Sequence, residues 1–301
     1  GLALAAGVAW ANATSSAQLA AQFPESGGTY VYGRECLGES WGFAAGWAFV
    51  VGKTASCAAM AITAATYALG GEARAAQVVG LAVVGALTVV LTRGITKTAR
   101  LARVLLTVTL ACLLVTVLVI AAFTREWAAP WAGVGDATAY GILQSAGLLF
   151  FAFAGYARIA TLGEEVRAPT VTIPRAITRA LGLVIALYAV LALLFLATIG
   201  ADGIAASALP LLTAAQAADV SWAGVFVRVG ATVAALGALL GLLSGVGRTV
   251  LAMARRGDLP RLLAAVDPGS KVPAVAQLWV AGAMAVLVLL TDLRHAIGFS
   301  S

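Results

Sequence analysis

Long apolar stretches alternate with short polar connections along most of the 301 residues. A helix needs about 20 apolar residues to cross a hydrocarbon layer of about 30 Å, and each stretch is close to that length. We therefore expect eight membrane-spanning helices, at approximately 1–23, 41–69, 75–92, 101–123, 142–162, 175–199, 222–247 and 273–291. All eight prolines lie at or between the ends of these segments, so none is predicted to break a span.

The fifth stretch carries a glycine inside an aromatic run. The aromatic residues around Gly155 are Phe150, Phe151, Phe153 and Tyr156. Because glycine adds backbone freedom, a locally unwound turn near Ala154 and Gly155 would free main-chain carbonyls and amides at mid-depth. Such irregular backbone survives in a membrane only inside protein or beside a wet cavity. The alternative, an unbroken helix whose glycine packs against a neighbour, stays open on the residues alone.

Composition agrees with the apolar pattern. Hydrophobic residues make up 61% of the chain and charged residues 11%, with a mean hydropathy of +0.98, whereas a soluble domain carries roughly a quarter of its residues as charges. The net charge is +6, but the cations are spread over alternate connections, which argues against a nucleic-acid partner. Thirteen of the 19 cations fall in connections that we assign to the inner side: Arg34, Arg93, Lys97, Arg100, Arg103, Arg167, Arg175, Arg179, Arg248, Arg255, Arg256, Arg261 and Lys271. The positive-inside rule predicts that these connections are cytoplasmic, in a multi-pass protein of the plasma membrane.

The sequence indicates no metal site. The three cysteines, Cys36, Cys57 and Cys112, lack metal-ligand spacing, and we expect them to be reduced thiols. His295 is the only histidine of the sequence, and alone it supports neither a catalytic triad nor a metal site.

Two cations fall inside predicted spans. Lys53 lies about 15 Å deep, where a lysine costs roughly 2.5–3.5 kcal/mol on insertion scales. It should face an acid, main-chain carbonyls or a wet cavity, and a packing role and a coupling role both stay open. Arg158 lies only about 7.5 Å from the inner end of its span, so we expect it to reach the interface or to pair with nearby acids. We interpret the adjacent Glu164 and Glu165 as a solvated helix end rather than an acid–base pair, because successive helical side chains diverge.

Packing and connections can also be predicted. Glycines four residues apart predict close helix contacts in two spans, at Gly42 and Gly46 and at Gly237, Gly241 and Gly245. The inner half of the first span is unusually polar and should face other helices. We expect the sixth span to face lipid and to be opened by Pro174. Residues 200–221 are expected to form an outer loop with little structure.

The spans form two groups of four. The chain begins directly in apolar residues without the features of a signal peptide, so we expect that a preceding span is missing. Adding that span and completing the one that begins near Arg294 gives five helices in each half. An odd number forces the halves into opposite orientations, as in many secondary transporters. Residues 1–138 would then belong to the first repeat and residues 139–301 to the second, within one membrane transport domain.

Three stretches carry a resemblance to a known family. They are FFAFAGYARIATLGEEVRAPTVTIPRAI at 150–177, PESGGTYVYGRECLGESWGFAAGWAFVVGKTASCAAMA at 24–61 and GRTVLAMARRGDLP at 247–260. The chain resembles the amino acid–polyamine–organocation permeases over essentially its whole length. The resemblance implies an all-α integral membrane protein with the five-plus-five inverted-repeat (LeuT-like) fold, truncated here to about eight helices that correspond to the family's second to ninth. It also implies secondary active transport of an amino acid or related amine by alternating access, with no cofactor.

The resemblance implies site residues as well. Phe151 and Phe153 fall at the family's aromatic gate, and the carbonyls around Phe151 to Gly155 would receive a substrate ammonium. The implied substrate-binding residues are Phe151, Ala152, Phe153, Ala154, Gly155 and Tyr156 on the fifth span, and Ser56, Cys57 and Met60 on the second. The implied gating residues are Phe151, Arg158, Glu164 and Glu165.

This chain departs from the family in two ways. The family's first helix, whose glycine-rich break binds the substrate carboxylate, is absent. At Thr109, sodium-independent relatives carry a lysine that stands in for a sodium ion, and we hypothesise that Lys53 replaces it, giving proton-coupled uptake or exchange without sodium. A homodimer is a further expectation. An intramembrane enzyme is disfavoured because the spans hold no nucleophile–base pair, and a channel because no continuous polar path is visible; a non-transporting fragment remains an alternative.

Overall fold

The computed structural model describes residues 1–69, 73–129, 138–207 and 209–290, and their regular structure is helical. The α-helices are α1 (Leu2–Gln22), α2 (Thr29–Leu37), α3 (Glu39–Leu69), α4 (Ala73–Thr92), α5 (Ile95–Phe123), α6 (Ala139–Phe153), α7 (Pro169–Thr198), α8 (Gly200–Ala206), α9 (Pro210–Ala217), α10 (Gly224–Arg255) and α11 (Ala274–Leu290). A 3₁₀ helix, Ala154–Glu165, directly continues α6, and we call it the 3₁₀ segment. His295 and Arg294 lie outside the described residues, as do the side chains of Ala154 and Glu165.

Six of the described helices are long and apolar enough to cross a bilayer: α3, α4, α5, α6 with the start of the 3₁₀ segment, α7 and α10. The apolar α11 is shorter, at 17 residues. The 21-residue α1 is not among the six. The expected number of eight therefore corresponds, by length and composition, to six spanning helices and two further ones.

The long helix α10 lies at the centre of the packing. It contacts α3, α5, α11 and the 3₁₀ segment, while α1 packs against α6 and α7 on another side. Leu239, Leu240 and Leu243 of α10 are completely buried. Because α10 touches the 3₁₀ segment as well as α3 and α5, its small residues decide how closely the predicted site elements approach one another.

Glycines on α3 bring two neighbouring helices close. A methyl group added at Gly42 would come within 2.7 Å of the Arg34 Cα on α2. One added at Gly46 would lie 2.7 Å from the Tyr30 ring and 2.9 Å from the Met253 sulfur on α10. The predicted close-contact face of this span is therefore confirmed.

Helix α1 packs against other helices, as predicted, but its alanines rather than its polar residues are the buried ones. This helix buries a stripe of alanines, including Ala9 and Ala13, whose small side chains let α6 and α7 approach. Ser15 is exposed, and its hydroxyl donates to the Ala11 carbonyl of its own helix at 3.0 Å. Since this back-bonding satisfies the hydroxyl, it needs no partner on another helix.

Three boundaries also differ from expectation. Pro169, not Pro174, opens α7, and Pro174 lies inside the helix in its second turn, where it removes one main-chain N–H donor. Residues 200–221 contain the two short helices α8 and α9 rather than an unstructured loop. Helix α10 extends to Arg255, so Arg248, expected in a connection, is a helical residue that is only 5% exposed. Few residues of α7 are buried, as expected for a lipid-facing span; the buried ones include Ile173 and Ile177, and the helix packs on α1.

Candidate functional site

The main chain changes its winding inside the predicted fifth span. The α-helix ends at Phe153, and the following 12 residues are wound as the 3₁₀ segment. Runs of 3₁₀ helix are normally only three or four residues long, and one within a span commonly marks a hinge or local strain. The change falls at the predicted position, although the chain there is wound more tightly rather than unwound.

A main-chain carbonyl at this junction bonds to a neighbouring helix. The Tyr188 hydroxyl of α7 donates to the Ala152 carbonyl oxygen at 3.3 Å. The Tyr188 ring also packs on the Phe153 ring, with centroids 5.1 Å apart. A cavity of about 1020 Å³ lies beside the bond and is lined by both Ala152 and Tyr188, with Asp202 of α8 on its wall. The carbonyl is therefore within reach of groups outside its own helix.

The two predicted gate aromatics face different surroundings. Phe153 is 2% exposed and packed against Tyr188, whereas Phe151 is 39% exposed. Gly155 is exposed, and among the described atoms a methyl group there would have the Arg158 guanidinium within 4 Å, at 3.9 Å. Tyr156 is half-buried, and its hydroxyl lies near the Asn12 side chain of α1. Within the predicted set, the structure therefore leaves Phe151 and Gly155 accessible and uses Phe153 for packing.

The predicted residues of α3 lie in the packed interior. Ser56 is 4% exposed and donates to the Gly52 carbonyl of its own helix at 3.0 Å. Cys57 is completely buried, and Met60 packs against the same core. None of these side chains lines the cavity beside Ala152 and Tyr188, or a second cavity beside α5 that is described below. The α3 residues therefore share neither cavity with the Phe151–Tyr156 stretch.

Arg158 bonds to a main-chain carbonyl, and an ion pair with a nearby acid, one of its two expected outcomes, is not found among the described residues. Its Nη1 atom donates to the Ala238 carbonyl of α10 at 3.2 Å. A methyl group added at Gly241 would come within 2.7 Å of the same Nη1. The glycine face of α10 thus makes room for the guanidinium, and within the described residues no carboxylate lies within ion-pair distance of it.

A second cavity brings Arg158 and Thr109 together. This cavity, of about 530 Å³, lies between α5, the 3₁₀ segment, α10 and α11. Its polar lining residues are Thr98, Thr109, Arg158, Ser244, Arg248 and Gln277. The Thr109 hydroxyl donates to the Leu105 carbonyl of its own helix at 2.9 Å. Lys53 does not line this cavity, but it is close enough to Arg158 for their charges to interact.

Glu164 belongs to a group of ion pairs near the basic connections, at one end of the helices. It accepts a bond from Arg255, the last residue of α10, at 2.8 Å, and both side chains are nearly half exposed. This agrees with the predicted solvated end of the segment. Arg256 pairs with Glu25 and Glu35 in the same region, at 3.2 and 3.0 Å.

The most buried pair of this group joins residues far apart in sequence. Arg34 of α2 donates to Asp258, which follows α10, at 2.9 Å, and the Tyr30 hydroxyl donates to the same carboxylate at 2.6 Å. Burial and the bond to Asp258 raise the pKa of Tyr30 to about 12. Burial alone would lower the pKa of Arg34, but the neighbouring Tyr30, Asp258 and Glu39 outweigh it, so the pKa is raised.

Sequence reasoning missed several of these functional candidates. Arg34 and Asp258 are 224 residues apart, so no local pattern joins them. Gln277 sits in an otherwise apolar span, and this alone was a detectable signal. The described residues contain no group of three side chains suited to hold a metal ion.

Sequence similarity to known proteins extends over nearly the whole chain. Residues 2–299 match the family model described as amino acid permease. An uncharacterized transporter of Mycobacterium tuberculosis is 56% identical over 304 residues, covering 100% of this chain and 68% of the relative. The branched-chain amino acid permease BcaP of Bacillus subtilis is 26% identical, covering 92% of the chain and 63% of the relative. The vacuolar cationic amino acid transporter 2 of Arabidopsis thaliana is 28% identical, covering 95% and 48%. These relatives are transporters, which does not favour an intramembrane enzyme.

Proposed function

Since this chain belongs to the amino acid permease family, as its motifs predicted, we propose that it forms most of the core of a secondary active transporter for amino acids or related amines. Its relatives include a branched-chain amino acid permease and a cationic amino acid transporter. Substrates with such different side chains share the α-ammonium and α-carboxylate groups. Recognition of these common groups by the main chain, followed by alternating access, is therefore the mechanism that we infer.

The observation that carries the proposal is the junction between α6 and the 3₁₀ segment. There the Ala152 carbonyl accepts a hydrogen bond from the Tyr188 hydroxyl, which lies on another helix. Carbonyl oxygens are suitable ligands for an ammonium group, because each can accept a charge-assisted hydrogen bond. We infer that the carbonyls between Phe151 and Gly155 receive the substrate ammonium, and that the exposed Phe151 ring moves with the gate.

The other predicted residues take supporting roles. Ser56, Cys57 and Met60 are proposed to shape the α3 side of the pocket; Ser56 and Cys57 are buried and Met60 is partly buried. Arg158, together with Glu164 and Glu165, is proposed to act in the gate on the side of the basic connections. Glu164 is suited to this role because its ion pair with Arg255 joins the 3₁₀ segment to the end of α10.

Coupling is proposed to depend on fixed cations instead of sodium. Lys53 is half-buried in α3, and within the described residues no acid pairs with it. Its charge interacts with that of Arg158, which faces Thr109 across the cavity beside α5. Transport should therefore proceed without sodium, by proton coupling or exchange. Normal, sodium-insensitive transport by a Lys53→Ala variant would exclude Lys53 from this role.

The proposal includes an architecture. Residues 1–138 and 139–301 would form parts of two inverted five-helix repeats of a plasma-membrane protein, with the basic connections in the cytoplasm and two copies forming a homodimer. Cross-linking of the protein in native membranes would test the dimer. Loss of cross-linking on dilution into excess lipid would argue for a monomer.

Uptake by the full-length protein tests the proposed function. The purified protein is reconstituted in liposomes and given a panel of labelled amino acids and their decarboxylated amines, with and without sodium and with and without a pH gradient. We expect saturable uptake of at least one amino acid that does not require sodium. Absence of uptake or exchange across the whole panel would contradict the proposal, and empty liposomes provide the control.

A further inference from the structure

The cavity beside α5 differs from its apolar surroundings in charge and polarity. It is lined by Arg158 and Arg248, and no aspartate or glutamate is among its described lining residues. Its volume of about 530 Å³ falls within the range of small-molecule sites. Arg248 also interacts with Glu164, which offsets part of its charge. The positive charge of the cavity therefore depends mainly on Arg158.

Gln277 contributes a buried amide to this cavity. The side chain is 0% exposed, and neither its Oε1 nor its Nε2 atom has a hydrogen-bond partner in the part of the chain that the structure describes. A methyl group at Gly247 of α10 would come within 3.0 Å of the Gln277 Cγ, so the side chain packs closely against α10. Buried polar atoms are nearly always hydrogen-bonded, because leaving them unpaired destabilises the fold. A fixed, unpaired amide at a cavity wall is therefore suited to a polar ligand.

Within the described residues, Arg158 has donors without a partner and a charge without a balancing acid. A guanidinium has five N–H donors, and the hydrogen bond recorded for this one is to the Ala238 carbonyl. The nearby charge of Lys53 repels it, and within the described residues neither cation pairs with an acid. Two cations at this depth are costly unless an anion or water balances them. An anionic ligand would supply the balance that the described protein groups do not.

We propose that this cavity is a second binding station, in which Arg158 and Gln277 bind the carboxylate of the transported amino acid. The planar guanidinium matches the two oxygens of a carboxylate, and Nε2 of Gln277 can donate to the same group. The inference rests on the proposed function and adds a site separate from the carbonyls around Phe151 to Gly155.

Paired ligands test the station in the full-length protein. Equilibrium binding is measured for a transported amino acid and for the amine that has the same side chain but no carboxylate. The variants are Arg158→Lys, which keeps the charge but loses the fork geometry, and Gln277→Leu, which removes the unpaired amide. We expect each variant to bind the amino acid about tenfold more weakly, because it loses one hydrogen bond to a charged group. Each variant should bind the amine as the wild type does.

A matched control lies in the same cavity. The Thr98 hydroxyl already donates to the Gly94 carbonyl at 3.2 Å, so Thr98→Val should leave binding of both ligands unchanged. Gln277→Leu should also melt no lower than the wild type, because it removes a buried polar group without a partner. This melting result separates loss of a ligand contact from loss of folding.

The outcomes separate this inference from the proposed function. If the wild type transports amino acids but both variants bind them normally, the second station is wrong and the proposed function stands. If binding of the amine falls equally, the residues have only a structural role and the station is again wrong. If chloride competes with the amino acid at this site and the amine does not bind at all, the cavity is an inorganic anion site and the inference is overturned. If the wild type neither binds nor transports any amino acid, the proposed function itself fails.

Discussion

Arg158 reaches a partner 80 residues away in the sequence, the main-chain carbonyl of Ala238. Its nearness in sequence to Glu164 and Glu165 made an ion pair one of two expectations for this cation, and helix geometry explains why Glu164 does not form it. In a 3₁₀ helix six residues advance about 12 Å, so Glu164 lies well beyond Arg158 along the axis. Glu164 instead meets Arg255. The sequence could identify the unusual cation, but its partner depends on how α10 packs against the 3₁₀ segment.

Gly42 gives the first prediction at this scale. A methyl group there would meet the Arg34 backbone, with Cα at 2.7 Å and N at 2.8 Å, and backbone cannot move aside as a flexible side chain can. We expect Gly42→Ala to lower the free energy of unfolding by about 2 kcal/mol. The control is Gly85→Ala, at a helical glycine with nothing within 4 Å of the added methyl group, where stability should stay the same or rise by up to ~1 kcal/mol. Melting temperatures of the purified variants measure both, and equal values would contradict the packing described here.

Tyr30 gives a prediction for pH. Its pKa of about 12 lies above the ordinary value of 10.0, so the folded protein keeps a proton that the unfolded chain releases. This contribution to stability is fully present below pH 10 and is lost as the pH rises towards 12. Tyr30→Phe should therefore lose less stability than the wild type across that interval. Part of the loss of stability with rising pH remains in Tyr30→Phe, because burial also raises the pKa of Tyr32 to about 12.

Melting temperatures measured between pH 10 and pH 12 test this prediction. Tyr140→Phe, at an exposed tyrosine, is the control. The control should follow the wild-type curve. Equal slopes for Tyr30→Phe and the wild type would contradict the assigned role of the Tyr30 hydroxyl.

The helices show which kinds of information the sequence holds about elements. The apolar pattern predicted the long helices to within a few residues at most ends, and the aromatic run around Gly155 predicted where the winding changes. The pattern did not predict that α10 continues to Arg255, because charged residues near a helix end resemble a connection. It also missed α8 and α9, since helices of seven and eight residues leave little periodicity to detect.

The bond between α2 and the residue after α10 carries a prediction at the element scale. Arg34 and Asp258 are 14% and 19% exposed, so removal of one charge leaves the other largely buried. Breaking such a pair costs about 3 kcal/mol, and we expect Asp258→Asn to lower stability by that amount. Arg256→Gln is the control: Arg256 is 39% exposed, and an exposed ion pair contributes about 1 kcal/mol or less. Unfolding measured by melting should order the variants in this way, and an Asp258→Asn protein as stable as the control would refute it.

At the scale of the whole molecule, charge distribution predicts orientation and an existing cysteine can report it. Cys36 is exposed on α2, within the first connection assigned to the cytoplasm, whereas Cys57 is buried and Cys112 half-buried. A membrane-impermeant thiol reagent should label Cys36 in inside-out vesicles and leave it unlabelled in intact cells. Labelling that disappears in the Cys36→Ala variant is the labelling of Cys36. Labelling of Cys36 in intact cells would reverse the orientation and remove the basis for assigning the inner gate.

The whole site was predicted less completely than its parts. The motifs indicated a permease, and the family match agrees. They grouped Lys53 with Thr109, however, whereas the structure brings Arg158 to the Thr109 cavity together with Gln277. Contacts among α5, α10 and α11 decide that grouping, and they join residues whose separation in sequence leaves no pattern for a single chain to reveal.

Transport by two matched glycine variants tests the central claim, that the change in winding beside Gly155 makes main-chain carbonyls available to the substrate. Gly155→Val adds bulk at the junction, where the Arg158 guanidinium is the described group within 4 Å of a new Cβ, and Gly147→Val adds it on α6 with no described atom within 4 Å. Initial uptake is measured in proteoliposomes at equal protein density and with melting temperatures compared. We predict that Gly155→Val lowers uptake more than about tenfold, as expected when a positioned hydrogen bond to a charged group is lost, and that Gly147→Val transports normally. Equal uptake by the two variants would contradict the account.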